Sequence, residues 1–233
     1  MDLYSSSRSE GCITCQNSWK NFGTLTVEEL AMVNANRYEA TFKPGEIIVK
    51  QGSPASNAVF LQSGMAKMYI EGASGHNMIM GIALPSRLIA GPGTYVNSRN
   101  SYSVAAMNMV QACFVSFDII RQLVRQNSLF AEGLIEDISQ KSLRSHQKML
   151  SLTQKRMHGR LAETILMFAE EVFDSDEFEM LLSRQELGDM TNMAKESVVR
   201  ILKELESEGI IDAGCPRMRI IDKERLRIIS DKG

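Results

Sequence analysis

Histidine is scarce in this 233-residue chain, occurring only at positions 76, 146 and 158. Between residues 41 and 116 His76 stands alone, so a metal-dependent barrel enzyme of the cupin type, which needs clustered His and carboxylate ligands, cannot be assembled there. Cysteine occurs four times, with only Cys12 and Cys15 close together, which argues against a disulfide framework in a chain of this size. Apolar runs are short: the best, 78–84, falls far below the ~18 residues of a membrane helix. The first residues, MDLYSSSRSEGC, lack the apolar centre of a secretory signal, so the expectation is a cytoplasmic protein with no membrane partner. A basic excess is missing too. The formal net charge is −2, with 13 basic and 11 acidic residues in 1–152 against 13 and 17 in 153–233. Any attraction of the second part for phosphate must therefore come from a local basic face.

What remains is 44% apolar and 23% charged, ordinary for a globular protein. Residues 1–24 form a polar tail holding the cysteine pair. Thr26, followed three residues later by Glu29, then caps a short helix whose apolar face holds Leu30 and Val33. From about 41 to 116 the pattern changes to short β-type runs: IIVK at 47–50, AVFL at 58–61, MAKMYI at 65–70, MIMGIAL at 78–84, YSVAAM at 102–107 and VQACFVSF at 110–117. Glycines separate them, often beside Pro or Ser. Many short strands with turn residues between them indicate an antiparallel barrel or jelly roll.

Helix formers dominate from 118 to about 172. Ala131, Ile135, Ile138, Ser142, Ser145, Met149 and Leu152 recur at spacings of four and three. This seam suits pairing with a second copy of itself, or packing against the chain's own barrel. Gly133 and Gly159 are the weak points of the stretch from 118 to about 172, each costing roughly 1 kcal/mol relative to Ala in a helix interior.

The segment LSRQELGDMTNMAKESVVRILKELESEGII at 182–211 carries the most information. Ser183 and Glu186 make a capping box that starts a short helix. A turn-length break at 191–194 follows, and then a longer helix with Val198, Ile201, Leu202 and Leu205 on one face. Gly209 suits a left-handed C-cap. Ile210 and Ile211, the turn at 213–216 and RMRII at 217–221 predict a β-hairpin, which makes a winged helix-turn-helix. A helix of this kind fits the major groove with its first turns toward base edges. Lys195, Glu196 and Arg200 lie in those turns. Ser183, Arg184 and Gln185 start the first helix, where a helix N-terminus and a cation suit a phosphate.

At these residues the chain resembles the CRP/FNR family (catabolite activator and fumarate–nitrate regulator). KPGEIIVKQGSPASNAVFLQSGMAKMY at 43–69 is similar to that family's first barrel strands, and the likeness runs from about 25 to 230. It implies an α+β fold: an N-terminal antiparallel double-stranded β-helix (jelly-roll) barrel at 25–127, a long dimerisation helix at 128–153, and a C-terminal winged helix-turn-helix at 154–233. It also implies base contacts from Lys195, Glu196 and Arg200 and phosphate contacts from Arg184 and Gln185; Ser183 and Ser197 join the phosphate set. Three positions depart from the family pattern. Ala194 stands where a capping Ser is usual, Lys195 replaces Arg, and Val199 replaces a small residue and offers its methyls to a thymine methyl.

The family's cyclic-nucleotide pocket has its counterpart in LIAGPGTYVNSRNSYSVAAM, 88–107. No acidic residue is present to hold a ribose, and Asn100-Ser101 replaces the expected Arg-Ser, with Arg99 adjacent. Cyclic AMP is therefore disfavoured, and Gly91, Pro92, Arg99, Asn100 and Ser101 are kept as the candidate pocket for another effector. The rival signal is redox. Cys12, Cys15 and Cys113 resemble part of the cysteine set of the oxygen-sensing branch, one short of the four thiolates of an iron–sulfur cluster. The same pair also fits another metal, or two thiols in a tail with Cys113 as a small core residue.

The expected function is a homodimeric, sequence-specific DNA-binding transcription regulator, not an enzyme. Its partners would be double-stranded DNA with a roughly palindromic operator, a second copy of itself, an unidentified small-molecule or redox effector and, as the resemblance implies, RNA polymerase. The alternative is a ligand-binding module whose helical end contacts protein and not DNA.

Overall fold

The structure, a computed structural model, describes residues 15, 18–72, 75–90, 95–214 and 216–233. Cys12, Gly91, Pro92 and Cys215 lie outside the described residues. After a 3₁₀ turn at Lys20–Thr24 come α1 (Val27–Ala35), β1 (Arg37–Phe42), β2 (Ile47–Val49), β3 (Asn57–Ser63), β4 (Ala66–Glu71) and β5 (Asn77–Ala83). They are followed by β6 (Leu88–Ala90), β7 (Ser103–Ala106), β8 (Val110–Ser116), α2 (Phe117–Gln126), α3 (Ser128–Gln154) and α4 (Met157–Met167). The chain ends with β9 (Glu177–Glu179), α5 (Arg184–Thr191), α6 (Lys195–Ser207), β10 (Ile211–Asp212), β11 (Arg217–Ile220) and α7 (Lys223–Lys232).

Eight strands make two four-stranded sheets, ordered β1-β8-β3-β6 and β2-β7-β4-β5. The chain divides into two compact units, one of residues 1–66 and 83–140, the other of 67–82 and 141–233.

In the first unit β8 pairs antiparallel with β1 on one side and β3 on the other, placing Cys113 opposite Glu39 and Phe60. Ala58, Val59, Phe60 and Leu61 are all buried in succession. Such a run, without polar alternation, belongs to a strand covered on both faces. One of those faces carries the main cluster, in which Trp19, Phe22 and Phe130 pack with Phe60. Thr26 and Glu29 form the expected capping box on α1.

Gly133, read from sequence as a weak point of the long helix, has a packing reason. The buried Asn21 donates from Nδ2 to the Phe130 carbonyl at 2.8 Å, and a Cβ on Gly133 would collide with its side-chain oxygen. Gly159 is similar in the second unit: its Cβ would lie 2.9 Å from the Gly233 Cα, where α4 packs on α7. Both glycines give up helix propensity for a close approach that any side chain would block.

Within the second unit α4 runs on through a π turn at Phe168–Val172, closed by the Phe173 N–H on the Phe168 carbonyl at 3.0 Å. The rings of Phe168, Phe173 and Phe178 stack on one another. Phe178 belongs to β9, a strand set in the acidic stretch DSDEFE at 174–179. β9 pairs with β11, so the wing is a three-stranded sheet, β10-β11-β9.

Candidate nucleic-acid interface

Ser183 caps α5: its Oγ accepts from the Glu186 N–H at 3.2 Å, and the Glu186 carboxylate accepts from the Ser183 N–H at 2.7 Å. The helix stops at Asn192, which adopts the left-handed conformation that asparagine tolerates better than most residues. The turn then folds back so closely that the Met193 N–H bonds the Gly188 carbonyl at 3.0 Å. A Cβ on Gly188 would sit 2.5 Å from the Met193 carbonyl oxygen, so this crossing needs glycine.

The second helix, α6, starts at Ala194, which supplies no side-chain cap, as its residue type requires. Val198, Ile201, Leu202 and Leu205 are buried, while Lys195, Glu196 and Arg200 are exposed and Ser197 and Val199 half-buried. Gly209, at φ +68°, ends the helix, and the Ile210 N–H returns to the Leu205 carbonyl at 3.0 Å. The candidate base-reading residues thus share the first turns of one helix and lie off its buried stripe.

The other members of the interface are tied locally. Arg184 donates from Nη2 to the Ala213 carbonyl at 3.1 Å, linking the start of α5 to the wing, and Gln185 donates to Asp189 at 3.0 Å. Arg200 donates from Nη1 to Glu204 Oε1 at 2.7 Å, and the other oxygen of Glu204 meets His158 Nε2 at 2.7 Å. His158, and then Arg200, hold the Glu204 carboxyl below the usual carboxylate range. Lys67 pairs with Glu186. Desolvation pushes the Glu186 carboxyl upward, but Lys67 and the Ser183 hydroxyl and N–H outweigh it and the net direction is down. Neither the His158–Glu204 pair nor Lys67–Glu186 was visible in the sequence, because each joins residues far apart in it and no spacing announces them.

Of the candidate effector residues, Arg99 and Asn100 are engaged with the loop at 52–54. Arg99 donates to the Gly52 carbonyl at 2.6 Å, and Asn100 donates from its amide side chain to Ser53 Oγ at 3.0 Å. The backbones add Gly52 N–H to Asn100 O at 2.8 Å and Asn100 N–H to Ser53 O at 2.9 Å. These groups stitch two loops together. Arg99 and Ser101 are exposed, so the described part of this segment offers no buried cation for a nucleotide phosphate and does not fit a cyclic nucleotide.

Of the candidate redox residues, Cys15 is half-buried and Cys113 buried. Arg37 Nη1 lies 3.8 Å from the Cys113 sulfur. Among the described residues no three His, Cys, Asp or Glu side chains are grouped to hold a metal. His76 and His146 are exposed. Among the described residues no helix is long and apolar enough to cross a membrane.

Comparison with known proteins agrees with this layout. Residues 159–229 match the Crp-like helix-turn-helix domain and residues 39–127 the cyclic nucleotide-binding domain. The transcriptional activator protein Anr of Pseudomonas aeruginosa is 26% identical over 208 residues, 87% of this chain and 85% of the relative. Electron transport regulator A of Shewanella oneidensis is 24% identical, covering 96% of this chain and 93% of the relative. Among solved structures, FixK2 from Bradyrhizobium japonicum superposes with a TM-score of 0.76 at 19% identity, covering 83% of this chain and 96% of that one. With a sensor-type β domain and a winged helix-turn-helix each matched in its own half, the chain belongs to the CRP/FNR family of DNA-binding transcription regulators.

Proposed function

We propose that α6 enters the major groove and that Lys195, Glu196, Val199 and Arg200 read bases, while Ser183, Arg184, Gln185 and Ser197 contact phosphates. The observation that carries this reading is the division of α6 into a buried apolar stripe and an opposite, exposed face whose first two turns hold Lys195, Glu196 and Arg200. Arg200 would take guanine O6 and N7 with two N–H groups, Glu196 would accept from cytosine N4, and the Val199 methyls would meet a thymine methyl. The N-terminus of α5 offers free N–H groups to phosphate, with Arg184 beside it.

The protein acts as a homodimer on a roughly palindromic operator, paired through α3. Exposed apolar residues on that helix support this: Ile135 is 65% exposed, Ile138 39% and Met149 59%. Two recognition helices then address half-sites about one helical turn apart. The barrel senses an effector other than cyclic AMP and shifts the dimer between geometries of different DNA affinity. Relatives named as transcriptional activators favour activation, with RNA polymerase as the protein partner.

The test is Arg200→Ala. Specific retardation of a duplex selected by the wild-type protein from a random pool is expected to disappear while dimerisation persists. Retained specific binding would remove Arg200 from the base-reading set.

A further inference from the structure

Arg200 does not stand alone on α6. Its Nη1 donates to Glu204 Oε1 at 2.7 Å, one turn later on the same helix, and Glu204 Oε2 meets His158 Nε2, also at 2.7 Å. His158 is the second residue of α4, so the carboxylate is held from a different helix than the one that carries it. We propose that His158 and Glu204 are positioning residues for base recognition: they fix the Arg200 guanidinium in one orientation and so set selectivity at the base pair Arg200 reads. This rests on the reading of Arg200 as a base contact.

Three physical points support the assignment. First, an Arg that precedes its Glu at i,i+4 has the weaker of the two orientations for a helical ion pair, so Arg200–Glu204 alone would exchange readily with water. Anchoring the carboxylate through His158 removes the freedom that makes such a pair weak. Second, the division of labour is complete on the carboxylate, with one oxygen for each partner. Third, the bond to Glu204 engages Nη1 and leaves guanidinium donors at Nη2 and Nε for a fork on guanine. An Arg already held in its reading orientation loses less side-chain freedom on binding, and that saving goes to the correct base, where both donors find acceptors.

A fastening role for His158, merely tying α4 to α6, predicts something different. It would affect folding and weaken binding to all DNA alike, without favouring one base pair. The experiment therefore measures discrimination. A duplex selected from a random pool by the wild-type dimer is compared with the same duplex changed at the base pair where Arg200→Ala loses its preference.

His158→Leu and Glu204→Ala are each expected to lower the affinity ratio of the two duplexes by about two- to tenfold, the scale of one immobilised long side chain. Affinity for unrelated DNA should hold. His158→Gln, whose amide can still donate to Glu204, should restore most of the ratio. In the Arg200→Ala background His158→Leu should change nothing further. Wild-type discrimination in both single variants, alongside a collapse in Arg200→Ala, would overturn the proposal and leave the Arg200 reading intact. Equal weakening on all duplexes, or an added loss on top of Arg200→Ala, would overturn it in favour of fastening. If Arg200→Ala itself keeps its discrimination at every base pair, the underlying reading fails and the proposal with it.

Discussion

Placing a methyl group on Gly188 should disable DNA recognition without touching any residue that meets DNA. An alanine Cβ there would lie 2.5 Å from the Met193 carbonyl oxygen, whereas ordinary contact begins at 3.4 Å, so the turn must retreat by the difference, 0.9 Å. Met193 is backbone-bonded to Gly188 and cannot rotate away as a side-chain tip could. The displacement then passes into α6, whose first turn is held at Ala194 only by backbone bonds, from the Ser197 and Val198 N–H groups at 3.0 and 3.2 Å. Overpacking of this kind costs about 1–3 kcal/mol. In a chain of this length that lowers the melting midpoint by roughly 2–12 °C. Moving Lys195 and Glu196 off the base edges proposed for them should forfeit at least one good contact, about 1–3 kcal/mol or roughly 5- to 150-fold in affinity. Fluorescence anisotropy on a selected duplex at one fixed salt concentration measures the second effect and differential scanning calorimetry the first. Gly23→Ala, whose added Cβ meets nothing within 4 Å, serves as the matched control. Wild-type affinity in a folded Gly188→Ala protein would show that the close approach at Gly188 does not set the recognition geometry.

Three further outcomes are expected. Tyr102 donates to the Ile89 carbonyl at 2.7 Å, and burial, aided by Asp137, pushes its phenol up to about 12. The unfolded phenol ionises near pH 10, so this residue's contribution is whole below pH 10 and declines toward pH 12, by about 3 kcal/mol in all; Tyr102→Phe should lose about 1 kcal/mol at neutral pH and show a flatter alkaline limb in urea titrations. Gly133→Ala should cost about 1–3 kcal/mol through its clash with Asn21, and Asn21→Ala in the same chain should recover part of that, a coupling that a double-mutant cycle in denaturant would reveal. Replacing Ile135 and Ile138 together by Glu should give monomers in sedimentation equilibrium with weakened operator binding, whereas dimers of unchanged affinity would move the interface away from this face of α3.

Much of this architecture can be read locally. The capping boxes at Thr26 and Ser183 each lie within four residues, and the stripe of Val198, Ile201, Leu202 and Leu205 needs only helical periodicity. All six β-type runs became strands because their residues are apolar and bounded by turns. β1 was less evident, since RYEATF carries charge and is only half-buried, although Tyr38, Ala40 and Phe42 do alternate. β9 is concealed by acidic neighbours, and in it only Phe178 is buried. Gly133 and Gly159 looked like defects because the groups that crowd them, Asn21 and Gly233, are remote in sequence. The same remoteness hides His158 from Glu204 and Lys67 from Glu186. The hydrogen bonds of Arg99 and Asn100 to the 52–54 loop are hidden for the same reason, since the two loops are remote in sequence.

Sequence-specific DNA recognition by the dimer is tested most directly by presenting the purified protein with a pool of random duplexes and sequencing what it retains. Enrichment of one inverted repeat is expected, with half-site centres about 10–10.5 base pairs apart. A retained pool with the same sequences as the input would contradict it, leaving a protein that holds DNA only through charge or not at all.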